Sequence, residues 1–151
     1  MKNWEGGCRC GAVRYRVKAE QLPVTYACHC LDCQTWSGSA FSQQSICRES
    51  DFTYTGQIAQ FDLTSADGQR ISHQFACPQC FSRVFNSNSA RPGRVVIRAG
   101  SFDASDQLRL VAHIWTRRMQ SWIILEDATP RWSESATVDE FHQALGITVT
   151  A

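Results

Sequence analysis

The sequence predicts a mainly β protein with one short helix near its C-terminus. Three observations support this class: short stretches alternate apolar and polar residues, compact apolar runs lie between turn residues, and one helix-capping pattern occurs near the end. At 151 residues the chain is long enough to build one hydrophobic core, so we expect a single domain spanning residues 1–151.

Six stretches are predicted to be strands, because they either alternate with a period of two or form compact apolar runs. In chain order these are residues 12–17, 52–55, 61–64, 70–75, 95–97 and 122–125. The third and fourth flank a turn that contains Asp67-Gly68, which is typical of a β-hairpin. Residues 87–93 carry turn chemistry and predict a loop.

The predicted helix begins after Thr137. Glu140 follows three positions later, which is the spacing of a capping box. Phe141 and Leu145 then lie four residues apart on one face, and Gly146 is expected to end the helix.

Composition excludes several classes of function. The hydrophobic fraction is 43%, the charged fraction is 19% and the net charge is +1, which indicates a globular protein without the basic surface of a nucleic-acid binder. No apolar run approaches the roughly 18 residues of a membrane span. The first residues have no hydrophobic stretch of the signal-peptide type, so we expect a cytoplasmic protein.

The eight cysteines are the most informative residues. In a reducing compartment they indicate metal or redox chemistry rather than disulfides. Seven fall into three tight groups, and Cys47 stands alone. The groups are Cys8 with Cys10, Cys28 with Cys30 and Cys33, and Cys77 with Cys80.

Spacing of this kind suits zinc, which takes thiolates at about 2.3 Å in a tetrahedron. No group alone supplies four ligands, so distant groups must meet in the fold. Two pairs make a closed four-thiolate site, whereas three thiolates leave one position open, as in catalytic zinc sites. Other partitions satisfy the same count. Buried free cysteines and an iron–sulfur cluster are the alternatives to zinc.

Several segments between Gly6 and Trp122 form a recognisable pattern. They are residues 6–15 (GGCRCGAVRY), 28–33 (CHCLDC), 37–41 (SGSAF), 77–80 (CPQC), 91–93 (RPG), 99–103 (AGSFD), 113–115 (HIW) and Trp122. In this order they resemble the glutathione-dependent formaldehyde-activating enzyme family.

The resemblance implies a single-domain, tent-like fold of antiparallel sheets around two zinc ions per chain, one structural and one catalytic. The structural zinc would be held by Cys8, Cys10, Cys77 and Cys80. The catalytic zinc would be held by Cys28, Cys30 and Cys33, with its fourth position open. The implied activity is that of a carbon–sulfur lyase similar to S-hydroxymethylglutathione synthase, which joins an aldehyde such as formaldehyde to a small thiol such as glutathione.

The alternative function is a non-catalytic zinc-binding module for protein or ligand binding, because one fold can host unrelated functions. No nucleic-acid or membrane partner is expected, and the sequence does not indicate an oligomeric state. Cys47 is interpreted as a buried apolar residue, although a contact with the Cys28 group would close that site.

Phe81 departs from the family pattern, which usually has glycine directly after the C-x-x-C pair. A bulky residue in the left-handed region costs roughly 1–2 kcal/mol, so this turn is expected to be either strained or shaped differently. His29 lies between two predicted ligands and is expected to point away from them, because neighbouring side chains on an extended chain alternate. Trp36 is the candidate for a pocket wall.

Overall fold

The computed structural model describes residues 1–65 and 68–146. These residues contain ten strands and two α-helices, which confirms the mainly β class. The chain divides into two compact units, each made of two segments. The first unit comprises Met1–Pro23 and Ser45–Leu108, and the second comprises Val24–Gln44 and Arg109–Ala151. The single-domain organisation stays a prediction.

The first unit contains a three-stranded antiparallel sheet. Its strands are β1 (Lys2–Gly7), β2 (Arg14–Ala19) and β5 (Phe52–Thr55), hydrogen-bonded in the order β1-β2-β5. In β2, Tyr15 and Val17 are buried while Arg16 between them is exposed. This alternation is the one that the sequence predicts for a half-buried strand.

A second run of strands in this unit is also antiparallel. It comprises β6 (Ala59–Thr64), β7 (Ile71–Ala76), β8 (Arg83–Asn88) and β9 (Arg94–Arg98), with the end of β4 (Ser42–Arg48) beside β9. Strands β6 and β7 form the predicted hairpin. Asp67 of its predicted turn lies outside the described residues.

Apolar side chains from both sets of strands form the core of the first unit. Its aromatic residues pack closely, with the rings of Phe75 and Phe85 stacked at 4.5 Å between centroids and those of Tyr15 and Phe102 edge-to-face at 5.4 Å. Cys8 and Cys77 are members of this buried cluster, so both residues are packed within the core.

The second unit is smaller and mixes strands with helices. It contains β3 (Thr25–Cys28), α1 (Leu31–Ser37), the start of β4, β10 (Leu110–Ile114) and α2 (Val138–Leu145). Strands β10 and β3 pair in parallel, with Ile114 opposite Cys28. This pair is an exception to the antiparallel arrangement.

Helix α2 follows the sequence prediction closely. Thr137 and Glu140 make the reciprocal capping box, and Gly146 ends the helix with a φ of +64°. Phe141 is 1% exposed and packs edge-to-face on Tyr26, with 4.7 Å between ring centroids. The helix is therefore fixed by burial of one apolar face against β3.

The structure differs from the sequence predictions in several places. Five strands, β1, β3, β4, β8 and β10, are not among the six that the sequence predicts, and β8 runs to Asn88, into the predicted loop 87–93. Residues 122–125, predicted to be a central strand, form a turn and an irregular segment, and the side chains of Trp122 and Ile124 are 68% and 94% exposed. An apolar run forms a strand only where a neighbouring strand pairs with it, and no pairing involves this one among the described residues. Helix α1 was not predicted, because its seven residues have no apolar periodicity.

Among the described residues, no helix is both long and apolar enough to cross a membrane.

Candidate metal centre

The first cysteine pair lies in the tight connection between β1 and β2. The backbone N–H of Cys8 donates to the carbonyl of Val13 at 3.0 Å, and Gly11 closes the turn with a φ of +81° and an N–H bond to the Cys8 carbonyl. The N–H of Val13 also donates to Sγ of Cys8 at 3.2 Å. Cys8 and Cys10 therefore project from one rigid loop.

The second pair lies in the connection between β7 and β8, which repeats the hydrogen bond between the first cysteine and the fifth residue after it. The N–H of Cys77 donates to the carbonyl of Ser82 at 3.0 Å, and the N–H of Phe81 donates to the carbonyl of Cys77 at 2.9 Å. The hydroxyl of Ser82 lies 3.2 Å from Sγ of Cys80. This hydrogen bond, together with those from the backbone N–H groups of Ser82 and Cys10, lowers the pKa of the Cys80 thiol to about 5. The loop thus favours a thiolate at neutral pH.

These two loops bring four thiols together, as the resemblance implied. The sulfurs of Cys8, Cys10, Cys77 and Cys80 all lie within 4.8 Å of one another. Sγ of Cys10 is 3.5 Å from Sγ of Cys8 and 3.7 Å from Sγ of Cys77. A tetrahedral zinc ion with Zn–S bonds of about 2.3 Å separates its sulfurs by about 3.8 Å, so the spacing and the donor set fit that ion.

The backbone at Phe81 shows whether the turn that lacks the family's glycine is strained or shaped differently. Its φ is +59°, in the left-handed region, so the turn keeps the shape that glycine would give and a bulky residue is strained in it. The side chain is 80% exposed and packs little to offset this strain. The departure from the family pattern therefore changes the energy of the loop rather than its geometry.

The three remaining clustered cysteines lie where β3 leads into α1. Cys28 ends the strand, Cys30 is the N-cap of the helix, and Cys33 follows within its first turn. Their sulfurs lie within 4.8 Å of one another, and no further Cys, His, Asp or Glu from the described ranges, 1–65 and 68–146, belongs to the group. Cys28 and Cys33 are buried, whereas Cys30 is partly exposed.

Hydrogen bonds within this group concentrate negative charge on Cys30. The thiols of Cys28 and Cys33, and then the backbone N–H groups of Cys33 and Asp32, lower the pKa of Cys30 to about 2. The same sulfur contacts, together with burial, raise the pKa of Cys28. Two buried sulfurs around a partly exposed thiolate form an arrangement that a metal cation would stabilise.

Gln44 and Tyr26, which sequence reasoning missed, complete the surroundings of Cys33. Nε2 of Gln44 donates to Sγ of Cys33 at 3.2 Å, and the hydroxyl of Tyr26 donates to Oε1 of Gln44 at 2.7 Å. Both residues are buried, with 6% and 2% of their surfaces exposed. No sequence pattern identifies them, because the contact depends on how β3 and β4 pair.

His29 lies outside the three-sulfur group, consistent with a side chain that points away from its neighbours. It is fully buried, and its Nε2 lies 3.0 Å from Nδ1 of His113, with the two rings stacked. Burial, with the nearby His113 adding to it, lowers the pKa of His29 to about 4. The pair is therefore neutral at pH 7 and links β10 to the cysteine loop.

Gln34 fastens the helix of this group to the chain that follows β10. Its Nε2 donates to the carbonyl of His29 at 2.7 Å and to the carbonyl of Arg118 at 2.9 Å. Gln120 donates to Oε1 of Gln34 and accepts the indole N–H of Trp122 at 2.7 Å. The exposed Trp122 is thus held near the helix by polar contacts rather than by a strand.

Two further residues named from the sequence have simple positions. Cys47 belongs to neither sulfur group, packs against the core of the first unit, and has its pKa raised to about 12, chiefly by burial. Trp36 lies on α1, three residues after Cys33, and is 37% exposed. Its role as a pocket wall stays a prediction.

Comparison with known proteins supports the family that the residues suggested. A crystal structure of a protein from Rhodobacter sphaeroides is similar, with a TM-score of 0.53, 14% identity, and coverage of 70% of this chain and 98% of that one. At this identity the likeness supports the fold alone. No curated protein sequence matches this chain. The family model for the glutathione-dependent formaldehyde-activating enzyme matches residues 3–118. Because that match covers well over half of the 151 residues, the chain belongs to the glutathione-dependent formaldehyde-activating enzyme family.

Proposed function

We propose that this protein is a zinc-dependent carbon–sulfur lyase that joins a small thiol to an aldehyde, with glutathione and formaldehyde as the substrates that the family suggests. The thiol sulfur would bond to the carbonyl carbon, and the proton that the thiol gives up would end on the carbonyl oxygen. The product is a hydroxymethyl thioether, and the reverse reaction breaks the same carbon–sulfur bond.

The observation that carries this proposal is the number of ligands in the Cys28 group. Three cysteines lie within reach of one ion, and none of the other metal-binding side chains in the described residues joins them. Three protein ligands with one free position is the arrangement of catalytic zinc, whereas four ligands make a closed structural site. A zinc ion bound there would supply one coordination position and a positive charge that lowers the pKa of a substrate thiol.

The surrounding residues have defined roles in this proposal. Cys28 and Cys33 are buried and would fix the ion, while the partly exposed Cys30 marks the side from which a substrate can approach. Gln34 holds the start of α1 by two hydrogen bonds to backbone carbonyls, which limits movement of the sulfurs. A rigid ligand set keeps the free position open for the substrate.

The Cys8, Cys10, Cys77 and Cys80 group would hold the second, structural zinc. Its four sulfurs connect two hairpin tips of the first unit, and Cys8 and Cys77 belong to the buried core of that unit. A closed site of this kind contributes to folding rather than to chemistry. We also propose placement in a reducing compartment such as the cytoplasm, because cysteines that bind zinc must stay reduced.

Thiols and formaldehyde also combine without a catalyst, so the test must compare rates rather than yields. NMR exchange spectroscopy with ¹³C-formaldehyde and glutathione measures how fast the adduct forms and dissociates. The zinc-loaded protein should accelerate exchange in proportion to its concentration. Cys30→Ser should remove the acceleration, and Cys47→Ser, the matched control, should retain it.

A panel of thiols then defines the substrate. Preference for glutathione over cysteine and 2-mercaptoethanol would support recognition of the whole tripeptide. Absence of acceleration with every thiol, in a protein that carries both metals, would favour the alternative of a non-catalytic zinc-binding module.

A further inference from the structure

We propose that Gln44, which is oriented by Tyr26, is a positioning residue for the Cys33 thiolate. Its hydrogen bond would lower the electron density on this sulfur in the metal site formed by Cys28, Cys30 and Cys33. The inference rests on the proposed function, in that it assumes a metal ion bound by Cys28, Cys30 and Cys33. Its basis is a buried chain of two hydrogen bonds, from Tyr26 to Gln44 at 2.7 Å and from Gln44 to Cys33 at 3.2 Å.

The donor and acceptor of each of these two hydrogen bonds follow from the chemistry of the thiolate and the hydroxyl at either end. A thiolate bound to a metal has no proton, so it accepts hydrogen bonds and cannot donate them. The amide of Gln44 must therefore present its N–H to Cys33 and its oxygen to Tyr26. Tyr26 supplies the O–H that this oxygen requires, which disfavours the flipped amide, in which the amide oxygen would face the sulfur.

The hydrogen bond from Gln44 to Cys33 is strengthened by its buried position. Gln44 and Tyr26 are almost fully buried, and Tyr26 is fixed by the ring of Phe141 at 4.7 Å between centroids. Low local dielectric strengthens a hydrogen bond to a charged acceptor and makes an unpaired group costly. The amide is thus held in one orientation before any metal or substrate binds.

The consequence concerns the charge of the site. Three thiolates around a divalent cation carry a net charge of about −1, which opposes binding of a further substrate thiolate. A hydrogen bond from Gln44 withdraws electron density from Cys33 and makes the metal a better acceptor. Hydrogen bonds to metal ligands of this kind typically change metal affinity or activity by about 10–100-fold.

The absorption spectrum of bound cobalt(II) provides a test, because it would not change if Gln44 had only a structural role. Its sulfur-to-metal charge-transfer bands report the electron density on each thiolate. In Gln44→Leu we expect these bands to move to longer wavelength, because Cys33 loses its hydrogen bond, and the affinity for Co²⁺ at the three-sulfur site to fall about tenfold. Tyr26→Phe should produce a smaller shift in the same direction, because the amide is no longer held in one orientation.

Gln43 provides a matched control on the same strand. It points to the other face of β4, where its Nε2 donates to Oγ1 of Thr25 at 2.8 Å. Gln43→Leu should leave the charge-transfer bands and the Co²⁺ affinity unchanged. Gln44→Leu removes the amide oxygen that accepts the hydrogen bond from the Tyr26 hydroxyl. The double variant Tyr26→Phe/Gln44→Leu therefore separates loss of stability from the spectral shift, which should persist in it.

The outcomes distinguish failure of this inference from failure of the proposed function. Unchanged bands and affinity in a folded Gln44→Leu would overturn the role of Gln44 while leaving the proposed lyase intact. Wild-type protein that binds no Co²⁺ at Cys28, Cys30 and Cys33, or binds it as a closed four-sulfur complex, would overturn the open metal site itself and the inference with it.

Discussion

Sγ of Cys10 lies 3.7 Å from Sγ of Cys77, although the two residues are 67 positions apart in the sequence. Each projects from the tip of a β-hairpin, in loops closed by the same backbone hydrogen bond between the first cysteine and the fifth residue after it. The hairpin tips are thereby brought to the spacing of one tetrahedral ion. A metal bound at this point would link two loops that are far apart in the sequence.

Cys77→Ser is therefore expected to be severely destabilising. The residue is fully buried in the core of the first unit, and loss of a structural metal is among the mutations with the largest effects on stability. We expect the free energy of unfolding to fall by more than about 4 kcal/mol, with loss of one metal per chain. Denaturant unfolding and elemental analysis of the variant check both effects.

Cys47→Ser serves as the comparison, since Cys47 is also packed against this core but belongs to neither sulfur group. It should keep both metals and lose far less stability. If the two variants were equally destabilised with unchanged metal content, the role of Cys77 would be packing alone.

Phe81→Gly should stabilise the protein. Phe81 has a φ of +59°, which costs a residue with a side chain roughly 1–2 kcal/mol, and its exposed ring contributes little packing. Glycine relieves the strain but adds about 0.4–1 kcal/mol of unfolded-state entropy, so we expect a net gain of between zero and about 1.6 kcal/mol.

The matched control is Phe81→Ala, which removes the ring but keeps the strained backbone. It should leave the midpoint of denaturant unfolding unchanged or lower it slightly. A gain in stability from alanine equal to that from glycine would mean that the ring, rather than the positive φ, destabilises the loop.

The ion pair between Arg14 and Asp103 should make a small, pH-dependent contribution. Two hydrogen bonds join the guanidinium to the carboxylate, and they hold the pKa of Asp103 below its usual value. Because the folded-state pKa is lowered, this contribution is present above the unfolded pKa of about 3.9 and disappears as pH falls through the lowered value.

Asp103→Asn is accordingly expected to cost about 0.2–1 kcal/mol at pH 7, since both side chains are largely exposed and screened by solvent. Urea unfolding of both proteins between pH 7 and pH 3 measures the difference, which should shrink only below about pH 4. Acid would affect the two cysteine groups of both proteins alike, so the difference isolates the ion pair. A difference that grows in acid would contradict this assignment.

Gln34→Leu should loosen the start of α1. The variant loses hydrogen bonds to the carbonyls of His29 and Arg118, each worth about 0.5–1.5 kcal/mol, so we expect the free energy of unfolding to fall by about 1–3 kcal/mol. Gln120→Leu removes only exposed contacts and should cost less than about 0.5 kcal/mol. Equal losses from both variants, measured by denaturant unfolding, would mean that Gln34 does not anchor this segment.

Local patterns in the sequence were sufficient to predict part of this structure. Both ends of helix α2 were predicted from the sequence, because Thr137, Glu140 and Gly146 determine them through contacts within a few residues. The grouping of the seven cysteines could also be read, because ligand spacing is itself local. The family resemblance predicted which cysteine groups lie together in the fold, since no local pattern indicates that Cys10 is close to Cys77.

Features that depend on distant partners could not be predicted. The apolar run at residues 122–125 has the composition of a strand but no neighbour to pair with among the described residues, so Ile124 is exposed. Helix α1 is capped by the thiol of Cys30, a residue that is not a usual N-cap. Gln44 reaches Cys33 only through the position of β4, which composition does not reveal.

Zinc content and coordination test the central claim most directly, using elemental analysis and zinc-edge X-ray absorption on wild type and Cys30→Ser. The account predicts two zinc ions per chain in the wild type, with one light atom in the first shell of one site beside the sulfurs, and one zinc ion with an all-sulfur shell in the variant. A single zinc ion in the wild type, or eight sulfur ligands shared by two ions, would contradict an open three-cysteine site at Cys28, Cys30 and Cys33.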